Sequence, residues 1–245
     1  MLEPISAFWA EYGNVLIEGT WETIIMVTIS TVLSYVIGVP LGVALIVTQP
    51  QGIRPHRVFY RILDWIVNVG RSLPFAILLV ALMPFTRMIV GTAIGVKGAI
   101  VPLVISAAPF IARMVETSLS EVDAGVVEAA QSMGASTFQI VRKVYLPEAM
   151  PSLVLGGAIS VITILAYTAI AGMVGAGGLG NIAIQYGHNR GITSLMWVTV
   201  VFLIIFVQII QLVFSGVSKR IDKRLDASSK RSGFFDLFSR LNHTK

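Results

Sequence analysis

Two long stretches of this chain, Thr23–Val47 and Pro151–Val174, contain no Asp, Glu, Lys, Arg or His. About 18 apolar residues in a row already suffice to cross the hydrocarbon core of a bilayer as a helix. In lipid every backbone N–H and C=O must be satisfied within the protein, and a helix does this within one segment. The two runs therefore commit the chain to a helical membrane architecture. Mean hydropathy is +0.81, and charged residues make up only 13% of the 245 positions, against roughly 25% in soluble domains. The length would accommodate one or two soluble domains, but no long polar stretch is present to build one.

Five apolar segments emerge, which makes the expected fold an all-α polytopic membrane protein with five transmembrane helices. They run over Thr23–Val47, Ile62–Phe85, Gly95–Val115, Pro151–Val174 and Leu195–Ser215. The second is interrupted by Arg71 and Pro74, and the third contains Pro102 and Pro109. The first closes at the turn-forming Gln49-Pro50-Gln51-Gly52. Glu3 and Glu11 precede it without a basic n-region, and it exceeds the roughly 7–15 residues of a signal-peptide core, so it is read as a retained helix. The membrane body is expected over residues 1–224. A tail over 225–245 carries an amphipathic pattern at Phe234–Leu241, either lying on the inner membrane surface or disordered.

The net charge of +5 does not form one basic patch, which argues against nucleic acid as a partner. Arg54, Arg57 and Arg61 fall between segments one and two. Arg113, Arg142 and Lys143 fall between three and four, and Lys219, Arg220, Lys223 and Arg224 follow five. The other side receives Arg87, Lys97 and Arg190 against Glu3, Glu11, Glu18 and Glu22. The positive-inside rule then predicts an external N-terminus and a cytoplasmic C-terminus, as an odd number of helices requires. The chain is cysteine-free, which excludes disulfides and thiolate metal sites.

The connection from Glu116 to Met150 is the longest loop. Asp123 is placed to N-cap a helix over Ala124–Met133, and Gly134 to end it. Ser136 with Gln139 three residues on predicts a capping box for a second short helix. On that helix Phe138, Val141 and Tyr145 share helical spacing, and Pro147 and Pro151 separate it from the fourth segment. A helical hairpin with exposed apolar groups fits either a protein partner or the lipid interface.

Other sites are weaker. Gly175-Ala176-Gly177-Gly178-Leu179-Gly180 matches G-x-G-x-x-G, but it follows a membrane segment rather than a strand. No Asp or Glu lies between Glu148 and Asp222 to hold a ribose, so a tight external turn is expected. No lysine follows a glycine anywhere, so the chain has no G-K-[ST] phosphate loop, and any ATP-driven motor must be another polypeptide. His56, His188 and His243 lack ligand spacing; neither a metal nor a cofactor is expected. Arg71 lies about nine residues into segment two, near the midplane at 1.5 Å rise per residue. It reads as a structural brace or a substrate contact. Asp64, seven residues earlier on the same face, lies about 10 Å away along the axis; carbonyl oxygens freed near Pro74 are the alternative partner, and a later start of the helix would instead leave Arg71 near the cytoplasmic face.

Glu128-Ala129-Ala130, Gly134 and Leu146-Pro147 together resemble the EAA signature of bacterial ABC importer permeases, with Val144 where Ile is usual. The stretches Arg71–Phe75, Pro84–Arg87, Ala108–Arg113 and Val174–Gly180 narrow the resemblance to methionine-uptake permeases, over about Trp21–Arg224. It implies a type I ABC importer permease of the bacterial cytoplasmic (inner) membrane, working as a homodimer with two ATPase subunits and an extracytoplasmic substrate-binding protein. It implies no enzymatic activity of the chain's own and import of D- or L-methionine by alternating access. It further implies that a coupling loop at about 120–150 docks on the ATPase, with Glu128, Ala129, Ala130, Gly134, Phe138, Val141, Leu146 and Pro147 as the ATPase-coupling residues.

For a route between two protomers, Ser160, Thr163, Tyr167 and Met173 on the fourth segment are the pathway candidates. Ser160, Thr163 and Tyr167 share one face, though small-residue faces more often mediate helix packing. Other readings stand beside the first: a permease for another small solute, an ion-coupled secondary transporter or channel, and a scaffold subunit that binds partners without moving solute. The ion-coupled transporter would normally carry intramembrane carboxylates, and Asp64 is the one weak candidate.

Overall fold

The computed structural model describes the backbone of residues 5–242 and the side chains of residues 6–221, and every regular element among these is helical. Four continuous helices are long and apolar enough to cross a membrane: Ser6–Thr48, Gly95–Ser120, Met150–Gly172 and Thr193–Ile221. They belong to α1 (Ile5–Thr48), α5 (Gly95–Ser120), α9 (Met150–Gly172) and α11 (Thr193–Asn242). A bent pair, α2 (Arg57–Ser72) and α3 (Phe75–Ala81), which meet at 98°, makes a fifth when the two are taken as one span. The α4 helix (Met83–Val90) follows.

The expected single helix over Ile62–Phe85 is therefore corrected to a broken span. Proline disfavours helical backbone in the residue before it, and Leu73 and Pro74 are both extended, with ψ of 122° and 127°. Two extended residues turn the chain, and α3 restarts at Phe75. Arg57 and Arg61 lie on α2 rather than in a loop, and Arg113 lies inside α5. By contrast, α5 continues through Pro102 and Pro109. Neighbouring helices can support backbone groups that proline leaves unpaired, and α5 is packed against α1, α2 and α9.

The α1 helix has 44 residues, about 66 Å at 1.5 Å per residue, more than twice the thickness of a hydrocarbon core. The expected run Thr23–Val47 is its second half. This half lies against α5 through Gly38 and Gly42, a small-xxx-small pair that lets two backbones approach. A Cβ on Gly42 would sit 2.5 Å from the Ala112 carbonyl oxygen and 2.7 Å from Val115 Cβ. The spacing is visible in the sequence and is a signal the hydropathy reading passed over.

The two ends of α5 orient the rest of the molecule. At its start, the Gly95 N–H donates to the Gly175 carbonyl at 2.9 Å, in the glycine turn after α9. At its end, Val115 and Leu119 pack with Ile46 and with Val127, Ala130, Ile140 and Tyr145 of the 124–148 hairpin. With 26 residues in α5, these features lie about 39 Å apart. The glycine turn and the hairpin therefore occupy opposite ends of the bundle. Within one chain none of the most apolar stretch of α11 is buried, so lipid or another protein must cover it. The α11 backbone continues as helix past the expected boundary at 224 to Asn242. The Phe234–Leu241 pattern lies outside the described side chains.

Candidate functional site

The 120–150 hairpin is built from local signals that the structure realises one by one. The Asp123 carboxylate accepts from the N–H groups of Gly125 and Val126 at 2.7 and 3.3 Å and caps α6 (Ala124–Ser132). Gly134 has φ +77°, a conformation costly for any residue with a Cβ. It allows the Ala135 N–H to reach back to the Ala130 carbonyl at 3.1 Å, the closing bond of a Schellman turn. Ser136 Oγ accepts from the Gln139 N–H, and Gln139 Oε1 accepts from the Ser136 N–H at 2.7 Å, completing the capping box of α7 (Thr137–Ile140).

Beyond α7 the expected geometry is modified. A π-helical turn occupies Val141–Tyr145, followed by α8 (Leu146–Glu148). The wider turn breaks the predicted face: Phe138 is exposed while Tyr145 is buried, and Val141 and Leu146 are half-buried. Burial also pushes the Tyr145 phenol up from its ordinary pKa, so it stays neutral. Pro147 sits within α8 and does not separate the hairpin from α9; Ala149 alone intervenes. The second arm of the hairpin therefore runs almost directly into a membrane helix.

The hairpin has two surfaces. Val127, Ala130, Ile140 and Tyr145 face the ends of α1 and α5, which requires a small residue at Ala130. Glu128, Ala129 and Pro147 are exposed. So are Val126, Met133 and Phe138, at 45%, 81% and 69% of their possible surface. Large apolar side chains along the outer face of the hairpin, beside an exposed carboxylate and the small Ala129, make a surface suited to a partner.

A second constellation went unread in the sequence. Arg113 on α5 joins α2 through an ion pair with Asp64 at 2.5 Å and holds Glu116 on its own helix at 2.6 Å. Its Nη2 also donates to Asn68 Oδ1 at 3.0 Å, and Asn68 Nδ2 donates to Asp64 at 3.1 Å. Asp64, weighed as a partner for Arg71, is held instead by Arg113. The signal was present as two polar pairs at helical spacing, Asp64/Asn68 on α2 and Arg113/Glu116 on α5.

At the opposite end, the glycine turn makes the close backbone contact expected of it. Gly177 and Gly178 both have positive φ. Their backbone lies on α1, where the Glu22 carboxylate accepts from the Gly178 N–H at 2.6 Å and Thr23 Oγ1 from the Leu179 N–H at 2.9 Å. Two α1 side chains thus cap α10 (Gly178–Ile182). Glu22→Ala is expected to destabilise this contact by about 1–2 kcal/mol, the usual scale for loss of a cap. Hydrogen exchange at the Gly178 and Leu179 amides reads this directly. Unchanged protection would show that Glu22 does not hold the turn.

The pathway candidates separate. Ser160 is 1% exposed and donates to the Gly156 carbonyl, so it is a packing residue within the chain. Thr163 and Tyr167 are half-buried and Met173 is exposed. Tyr167 stacks on Phe75 of α3, centroids 4.4 Å apart and planes at 7°. Among the described residues no group of His, Asp and Glu could hold a metal ion.

Residues 38–227 match the profile of the family described as "Binding-protein-dependent transport system inner membrane component". The chain belongs to this family. It is thus a component of a binding-protein-dependent transport system of the bacterial inner membrane. Similar permeases include the "Probable D-methionine transport system permease protein MetI" of Vibrio cholerae serotype O1, 47% identical over 90% of this chain and 98% of that one. The "D-methionine transport system permease protein MetI" of Escherichia coli K12 is 53% identical over 64% of this chain and 72% of that one. Among solved structures, a chain of the MetNI methionine ABC transporter, in an inward-facing conformation, superposes with a TM-score of 0.84. That match is at 48% identity and covers 86% of this chain and 97% of that one.

Proposed function

We propose that this permease is the membrane subunit of an ATP-driven methionine importer, with the 120–150 hairpin receiving the motion of a separate ATPase. The observation that carries the cargo is the 48% identity to the MetNI transporter chain across 97% of that chain's length. The hairpin supports the coupling role. Its inner face is packed on α1 and α5, its outer face offers Phe138, Met133 and Glu128, and its second arm leads into α9.

In this reading two copies of the chain enclose the route, with two ATPase subunits at the hairpin end and a substrate-binding protein at the glycine-turn end. That places the N-terminus outside and the C-terminus in the cytoplasm, in keeping with the basic residues of the loops. ATP binds the partner subunits, and their closure and opening alternate the access of the route. Thr163, Tyr167 and Met173 border it, and Glu128, Ala129, Ala130, Gly134, Phe138, Val141, Leu146 and Pro147 form or support the coupling surface.

The test is reconstitution in proteoliposomes with the cognate ATPase and binding protein. Methionine uptake that requires ATP and is lost in Gly134→Pro, with the protein still inserted, is the expected result. Uptake with no ATPase present, or none in the wild-type complex, would overturn the reading.

A further inference from the structure

In the middle of the α2–α5 region Asp64, Arg113 and Glu116 hold one another, and Arg71 is left outside that network. Its depth follows from its neighbour: a Cβ on Gly70 would lie 2.7 Å from the Pro109 ring. Pro109 is about 21 Å from the start of α5 and about 17 Å from its end, at 1.5 Å per residue. Arg71 therefore leaves the backbone near mid-membrane, at the corner where α2 turns into α3 by 98°. It is exposed in the chain, and no ion pair or hydrogen bond of its side chain is found among the described residues. A guanidinium at this depth is stable in a water-filled cavity or against an anion, and costly against lipid.

A second copy of the chain does not supply that anion. The carboxylates of the apolar core are Asp64 and Glu116, and both are held by Arg113. The remaining described acids lie towards the two ends of the bundle. The anion that remains is the cargo.

We propose that Arg71 binds the α-carboxylate of the amino acid as it crosses the membrane. This rests on the methionine-importer reading and deepens it. A guanidinium matches a carboxylate with two parallel N–H···O bonds. Phe75, four residues beyond Arg71, is buried and stacks on the half-buried Tyr167, whose ring is placed to attract a thioether sulfur. Charge for the carboxylate and a ring for the side chain thus flank the same helix break.

The chain has no cysteine, so Arg71→Cys introduces a single addressable thiol. It is tested in the full complex with ATPase and binding protein, and wild-type complex treated with the same reagents serves as control. Uptake by Arg71→Cys is expected to fall at least tenfold, the scale of a lost charged hydrogen bond, with basal ATP hydrolysis retained. A thiosulfonate that adds an ethylammonium should restore much of the uptake, and one that adds a methyl group should not. Methionine undergoing transport should slow the labelling.

Undiminished uptake in the variant, or equal rescue by the methyl reagent, overturns the proposal. So does failure of a water-borne reagent to reach the thiol, which would place Arg71 against lipid or protein. Rescue by charge without protection by methionine assigns Arg71 to bracing and also overturns it. If the wild-type complex imports no methionine at all, the importer reading itself has failed, and that result is distinguishable because it precedes any variant.

Discussion

Replacing Arg113 with glutamine is expected to destabilise the folded chain by about 2 kcal/mol, below the roughly 3–5 kcal/mol that breaking a fully buried ion pair costs because this one is only partly buried. The reason is the electrostatic position of what is left behind. Arg113 alone bridges Asp64 on α2 and Glu116 on α5, and the three side chains are 22%, 31% and 9% exposed. Without the guanidinium, two carboxylates remain partly buried and close together. Each must either stay charged with poor solvation or take up a proton. Glutamine still donates one hydrogen bond, so the loss measured is that of charge rather than of every contact.

Two further variants separate the network from simple volume. Arg113→Lys keeps a charge but cannot serve Asp64, Asn68 and Glu116 from one planar fork, and should recover only part of the loss. The combination Arg113→Met, Asp64→Leu, Glu116→Leu removes all three charges together and should lie nearer wild type than Arg113→Gln, because no unpaired charge remains. Reversible unfolding in bicelles provides the measurement. If Arg113→Gln is within about 0.5 kcal/mol of wild type, as for an ordinary surface change, the network does not hold α2 to α5.

The same network marks where sequence reasoning reached its limit. Hydropathy is a local property summed over a window, and α1, α5, α9 and α11 announce themselves because lipid demands a long apolar run. The hairpin was legible in detail for a similar reason: Asp123, Gly134, Ser136 and Gln139 act on backbone groups within a few residues of themselves. Arg113 acts across 49 positions on Asp64, and no window contains both. Nor did spacing reveal the π turn at Val141–Tyr145, which puts Phe138 and Tyr145 on different surfaces. The Glu22 contact with Gly178 spans 156 positions, so the glycine turn could be read as a turn but not as a docked one. Ser160 shows the same limit: spacing put it on a polar helix face, and the fold buries it within the chain. A polar residue on a helix face can point into packing as easily as into a route, and only tertiary neighbours decide.

Phe138→Asp is expected to weaken ATPase-subunit binding at least 30-fold and to abolish uptake when the ATPase is limiting. Phe138 is 69% exposed at the tip of the hairpin, so the change removes little from the chain's own core. A central aromatic contact at an interface is worth about 2 kcal/mol or more, which is a factor of about 30. A carboxylate in its place adds the cost of burying a charge. Ile140→Asp is the contrasting change: Ile140 is 1% exposed and packs on α5, so that variant should lose folding along with binding. Phe138→Asp should retain wild-type thermal stability in nanodiscs while failing to co-purify with the ATPase. The competing use of the exposed Val126, Met133 and Phe138 is to lie in the lipid interface. Quenching of a fluorophore at residue 138 by brominated lipid tests that use. Strong quenching in the assembled complex, together with undiminished ATPase binding by Phe138→Asp, would move the hairpin from the motor to the membrane surface. Protection from quenching on ATPase addition, with binding lost in the variant, fixes it at the motor.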